Sequence, residues 1–206
     1  MSDKIINEIN KYYSEKVTLH GATPQGVDWN GIESQENRFS QLIKVADIFN
    51  DNNLTLLDYG CGFGSLLTYL QKKKKIVNYI GYDISDEMLI KAKELNGKNG
   101  VWINEISKDF KADYVLASGL FNVMLKTNIG DWEKYILETL DLINQISIKG
   151  FAFNILTSYS DVEFMKEYLY YASPEKYFSI CKTKYSKQVS LLHDYGLYEF
   201  TILVKK

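Results

Sequence analysis

The chain has 206 residues, enough for one elaborated domain with a sizeable core, and its 24 basic against 26 acidic side chains leave a net charge of −2, without the basic excess of a nucleic-acid groove. A hydrophobic content of 46% with 14% aromatics excludes a disordered chain, and two cysteines, Cys61 and Cys181, are too few for a cystine scaffold or a four-cysteine zinc site. Charges enter the N-terminus too early for a signal peptide, and no apolar run approaches the ~18 residues of a membrane span, so a soluble, cytoplasmic protein with reduced thiols and no membrane partner is expected.

Residues 1–50 read as two helices around a loop. Ile5, Ile6, Ile9, Tyr12 and Tyr13 recur at helical spacing, as do Phe39, Leu42, Ile43, Ala46 and Phe49. Between them, residues 20–31 hold three glycines, Pro24 and Trp29, the composition of a connector or of a lid. From Leu54 onward, short apolar runs alternate with helical segments, the signature of a parallel sheet with crossover helices. The runs are 54–58, 79–83, 101–104, 114–117 and 147–156. Ser85 is placed to cap a helix carrying Met88, Leu89 and Ala92, and Ser160 with Glu163 predicts a capping box before Val162, Met165 and Leu169. Residues 189–193 and 198–204, joined across Asp194-Tyr195-Gly196, predict a closing antiparallel hairpin. The four lysines 72–75 close a predicted helix, where positive charge complements the C-terminal dipole.

The densest information lies in Leu56-Leu57-Asp58-Tyr59-Gly60-Cys61-Gly62-Phe63-Gly64-Ser65: an apolar strand, an acid, three glycines on alternate positions, and a helix start. Such a loop turns sharply and lets a ligand approach the backbone. The next strand ends at Asp83, 83 − 64 = 19 residues on, close to the ~20-residue interval at which an acid receives ribose hydroxyls. A dinucleotide fingerprint would need Gly or Ala at position 65, where the chain has Ser65, so the pyrophosphate reading weakens. A ligand with an amino-acid head needs acceptors for its ammonium, and Asp58 with the turned-in loop carbonyls can supply them.

Asp58-x-Gly60-x-Gly62-x-Gly64 followed by Asp83 resembles motif I and the post-motif acid of class I S-adenosylmethionine-dependent methyltransferases. The resemblance spans about residues 54–206 and implies a Rossmann-like α/β fold: a mixed seven-stranded sheet with helices on both faces and a C-terminal antiparallel hairpin. Residues 1–50 form an N-terminal helical cap of the same domain, and residues 51–206 the cofactor-binding part. By this resemblance Asp58 and Gly60 meet the methionine end, Gly62 and Gly64 shape the turn, Cys61, between Gly60 and Gly62, belongs to the cofactor-binding loop, and Asp83 holds both ribose hydroxyls. Glu105, or Asn104 beside it, would meet the adenine amino group, with Ile84 and Ile106 flanking the ring. After the fourth strand, Ser118 and Gly119 leave room for the methyl group, while Phe121 and Asn122 line the acceptor side. The Asn/Asp-Pro-Pro-aromatic motif of base-methylating enzymes is missing there, which disfavours nucleobase acceptors and weakly favours oxygen over nitrogen. More narrowly, Ser118-Gly119-Leu120-Phe121-Asn122, Gly26-Val27-Asp28-Trp29 and the C-terminal segment from His193 resemble a subgroup of small bacterial methyltransferases.

Further candidates come from the residues themselves. Arg38 is the single arginine among 24 basic residues, and its bidentate fork suits a carboxylate, either the methionine carboxylate or an acid on the acceptor, with Gln35 one turn earlier to assist. Trp29 can cap the cofactor from the loop. His20 is the candidate catalytic base and His193 a second; Tyr159 and Tyr171, in a Tyr-rich stretch, can wall an acceptor pocket. No spacing of His, Cys, Asp and Glu suggests a metal. The expectation is a methyltransferase for a small-molecule acceptor, monomeric or homodimeric, without a nucleic-acid partner. A nicotinamide-dependent oxidoreductase, a non-catalytic cofactor-binding subunit and a protein or RNA methyltransferase are its rivals.

Overall fold

In the computed structural model, residues 2–27, 31–46, 53–75 and 77–206 are described. Helices α1 (Ser2–His20) and α2 (Ile32–Leu42) come first. They lead into β1 (Thr55–Tyr59), α3 (Ser65–Lys72), β2 (Asn78–Tyr82), α4 (Asp86–Asn96), β3 (Val101–Ile103), β4 (Ala112–Ala117), α5 (Ile129–Ile146) and β5 (Ser147–Leu156). Helix α6 (Pro174–Lys184) and the strands β6 (Gln188–Leu192) and β7 (Glu199–Lys205) close the chain.

The strands form one seven-stranded sheet in the order β3-β2-β1-β4-β5-β7-β6. The first five run parallel, whereas β7 is antiparallel to both β5 and β6, the closing hairpin that the glycine-containing turn predicts. Because successive strand residues face opposite sides, the central strands divide their apolar residues between two cores. Leu57, Val115, Phe151, Phe153, Phe200 and Ile202 meet Trp132, Ile136, Leu140 and Ile143 of α5 on one face. On the other, Leu56, Leu116, Ala152 and Leu203 meet Phe39 and Leu42 of α2 and Leu66, Leu67 and Leu70 of α3. The two N-terminal helices split between these cores: Ile5 and Ile9 of α1 join the first, Phe39 and Leu42 of α2 the second.

Cap chemistry sets where the helices begin. Ser85 accepts from Met88 N at 3.2 Å to start α4, and Asn128 accepts from Asp131 N to start α5. The expected capping box at Ser160 does not nucleate a helix. Ser160 Oγ donates instead to the Thr157 carbonyl at 2.7 Å, Val162–Phe164 makes a single 3-10 turn with both end residues exposed, and isolated bridges Val123↔Leu169 and Thr157↔Ala172 hold the following residues extended. The helix starts later, where Ser173 caps and Pro174 takes the first turn. Among the later aromatics, Tyr170 and Tyr177 are buried in the first core.

Candidate functional site

The glycine loop leaves β1 at Tyr59 and is pinned across the sheet to the end of β2. Gly60 N and Cys61 N both donate to the Tyr82 carbonyl, at 2.8 and 2.9 Å, and Gly62 N donates to Asp83 Oδ2 at 2.8 Å. Gly60 takes φ +79°, and a Cβ there would lie 2.9 Å from Leu120 Cδ1, so the loop can bend under the β4 turn only without a side chain. Gly64 (φ +81°) serves a different need. A Cβ at this position would strike Trp102 at 2.5 Å and Asn96 at 2.8 Å, so it admits close helix–strand packing rather than a ligand.

Above this loop opens a cavity of about 250 Å³, at the carboxyl ends of β1, β2 and β4 where open parallel sheets bind ligands. Its floor is Asp58, Gly60, Cys61, Gly62, Asp83, Ile84 and Ser118. Its roof comes from Ile9 and Tyr13 of α1, Gln35 and Phe39 of α2, and Tyr135 and Thr139 of α5. Seven of the floor-level residues expected from sequence are thus brought together.

The two acids differ in setting. Asp58 is 2% exposed and accepts from Tyr79 Oη at 2.6 Å; burial pushes its carboxyl up to about 7 in spite of that hydrogen bond. Asp83 is only partly covered and each oxygen receives one backbone N–H, from Ser85 at 2.9 Å and from Gly62 at 2.8 Å. Burial raises its pKa too, and these amides oppose the rise. Asp83 also borders the cavity, so its remaining acceptor capacity is open to a vicinal diol. Ser118 Oγ is buried at the cavity edge and has no hydrogen-bond partner among the described residues, so a bound polar ligand could satisfy it. A phosphate-free ligand with hydroxyls near Asp83 and an ammonium near Asp58 fits this donor and acceptor set.

Several expected residues fall elsewhere. Arg38 does not line the cavity. Its Nε donates at 2.7 Å to both carboxylate oxygens of Glu199 and its Nη2 lies 2.6 Å from Oε1, with the two side chains 10% and 2% exposed. The carboxylate it needed is thus internal. Glu199 Oε2 also accepts from Asn154 Nδ2 at 2.5 Å, and Asn154 Oδ1 accepts from Gly119 N at 2.8 Å, so one buried relay joins α2 to the β4 turn. Phe121 is fully buried in the first core, and its carbonyl accepts from Trp132 Nε1. Asn122 Oδ1 accepts from Leu156 N and braces β5. Tyr159 is 64% exposed outside the cavity and bonds to Glu175 Oε1. Glu105 is exposed and does not border the cavity, while neighbouring Asn104 donates to Asp86 Oδ1. His20 ends α1 in solvent, away from the lining. Trp29 lies outside the described residues. Conversely, sequence reasoning did not pick out Tyr13, Tyr82, Tyr135, Glu138 or Thr139, all of which border the cavity.

Comparison with known proteins bears on this geometry. A family model described as a methyltransferase domain matches residues 57–145, which run from β1 almost to the end of α5. A Mycobacterium tuberculosis protein, Rv1506c, described at family level as a methyltransferase with no acceptor named, is 48% identical over 168 residues, covering 81% of this chain and 98% of that one. The chain belongs to the class I S-adenosylmethionine-dependent methyltransferases. Its cofactor is therefore S-adenosylmethionine. The fold is also that of DhpI, solved with S-adenosylhomocysteine (TM-score 0.67, 13% identity, 98% of this chain and 97% of that chain). The plantazolicin methyltransferase BpumL, solved with a desmethyl-plantazolicin analogue and S-adenosylhomocysteine, shares it as well (TM-score 0.60, 13% identity, all of both chains). For this methyltransferase, the dinucleotide rival of the glycine loop is removed.

Proposed function

We propose that this methyltransferase acts on a small-molecule acceptor, at oxygen, and that residues 1–50 cap the site formed by residues 51–206. The observation that carries the small-molecule reading is the roof: α1, α2 and α5 stand over the strand ends and border a partly open cavity of about 250 Å³. Tyr59, Tyr82 and Tyr135 give this chamber an apolar wall with hydroxyl edges, suited to an uncharged ring or chain bearing a hydroxyl. The oxygen preference rests on the β4 turn, where Ser118-Gly119-Leu120 stands in place of a base-methylating motif.

When bound, the cofactor supplies a methyl group on a sulfonium, open to in-line displacement. The chain's own task is to position. Asp83 accepts the ribose hydroxyls while Gly62 N and Ser85 N hold its carboxylate in place. Asp58 receives the ammonium, aligned by Tyr79. Ser118 and Gly119, fixed by Asn154, leave space at the reacting end. Positioning of this kind supplies much of the rate of a methyl displacement without a strong base.

The test is a turnover assay that measures S-adenosylhomocysteine and transferred methyl with hydroxylated aromatic and aliphatic acceptors, with tRNA and with protein extract. Methylation of a hydroxylated small molecule is the expected result. Turnover confined to tRNA or protein would overturn the reading, and cofactor binding with no turnover on any acceptor would favour a non-catalytic role.

A further inference from the structure

Gln35 stands out among the cavity residues. It is 7% exposed on α2 and borders the chamber, yet among the described residues no group hydrogen-bonds its side-chain amide. Its neighbour Arg38 is committed to Glu199, so the cation on this helix cannot serve a ligand in the chamber. The Gln35 amide is therefore available to a ligand that enters the chamber.

The start of α3 points to the same place. This eight-residue helix begins at Ser65, which borders the chamber, and its N-cap, Gly64, has no side chain to satisfy the first-turn N–H groups. A helix start with open donors favours an anion. Helix α2 packs on α3, β5 and β7, with Phe39 against Tyr69 at 5.7 Å, so Gln35 reaches the chamber from the β1/β4 side of the site. Asp83 ends β2, on the other side, and fixes the ribose there. The amino-acid half of the donor therefore extends toward Gln35.

We infer that Gln35, with the first turn of α3 and Ser65 Oγ, receives the carboxylate of the cofactor's methionine moiety, the role the sequence had offered to Arg38. The amide carries two N–H donors on Nε2, which can meet the carboxylate, while the ammonium stays with Asp58. This assignment rests on the reading of the chamber as the S-adenosylmethionine site.

The experiment is calorimetry on wild type, Gln35→Leu and Gln35→Glu with three probes: S-adenosylmethionine, its decarboxylated form and 5′-methylthioadenosine. Gln35→Leu should weaken S-adenosylmethionine ten- to hundredfold, and Gln35→Glu should weaken it further. Both variants should bind the two probes that lack a carboxylate within twofold of wild type, which also shows that they fold. Equal weakening of all three probes, or unchanged S-adenosylmethionine affinity, would overturn the assignment. A wild type that binds none of the three would overturn the cofactor site itself, and with it this inference.

Discussion

The floor and the roof of the chamber are built by different means. The floor is backbone: a glycine loop tied to β2 by the Tyr82 carbonyl and the Asp83 carboxylate, with two acids at strand ends. The roof is side chains carried in on α1, α2 and α5 and held by long-range packing. Apart from Ser118, the floor residues span 27 positions, from Asp58 to Ile84, whereas the Arg38–Glu199 pair that anchors the roof is separated by 161 residues. The floor can therefore keep its geometry when the roof changes, which suits a family that holds one donor and many acceptors.

The largest expected effect breaks the roof. Glu199→Ala leaves the Arg38 guanidinium and Asn154 Nδ2 buried without their carboxylate, and should cost about 3–5 kcal/mol in urea unfolding. A loss under ~1 kcal/mol would mean that α2 is held by its apolar face alone. Next comes the floor acid, with a pH signature. Burial pushes Asp58 up to about 7 from the ordinary carboxylate value near 3.8, so the folded state binds the extra proton and wild-type stability falls between about pH 4 and 7, then levels off. Asp58→Asn keeps an acceptor for Tyr79 and removes that fall. It should be more stable than wild type at pH 8, by up to about 4 kcal/mol for a shift near three units. Wild-type affinity for S-adenosylhomocysteine should rise with pH through about 7, because only ionised Asp58 pairs with the ammonium, and the variant should bind weakly with no such rise. Identical pH profiles would remove Asp58 from the cofactor site.

Asp83→Ala should weaken S-adenosylhomocysteine by about 1–3 kcal/mol, through loss of the hydrogen-bonded diol, and lower stability as well, because Gly62 N and Ser85 N lose their acceptor. Equal affinities by calorimetry would displace the ribose from the end of β2. These floor effects follow from residues that the sequence alone exposes, because turn chemistry is local: alternate glycines after an apolar strand have few other uses, and the spacing to Asp83 is set by one crossover helix. The roof lacked such a signal. Tyr135 and Thr139 sit on an amphipathic helix whose periodicity does not distinguish facing a core from facing a chamber, and Gln35 is singled out only by its one-turn spacing from Arg38. Arg38 shows the limit sharply. Its rarity correctly pointed to a bidentate carboxylate, but the partner is a glutamate at the far end of the chain, visible only once β7 lies beside β5. Phe121 and Asn122 likewise follow the site in sequence but turn inward to pack and brace.

The smallest effect concerns the seam between floor and roof. Ser14 of α1 donates to Glu87 Oε2 at 2.7 Å and lies 2.8 Å from Ser85 Oγ, while Ser85 N holds Asp83. The seam is partly buried and joins neutral hydroxyls to one carboxylate, so Ser14→Ala should cost only about 0.5–1.5 kcal/mol of stability. Its sharper consequence is local. With one tie to the floor gone, the amides of α1 should exchange faster, those of β1 and β2 should not, and S-adenosylhomocysteine should bind a fewfold more weakly because Ile9 and Tyr13 close over it less often. Unchanged exchange in α1 would show that Ile5 and Ile9 alone seat the helix, and that the hydroxyl contact contributes nothing to closing the chamber.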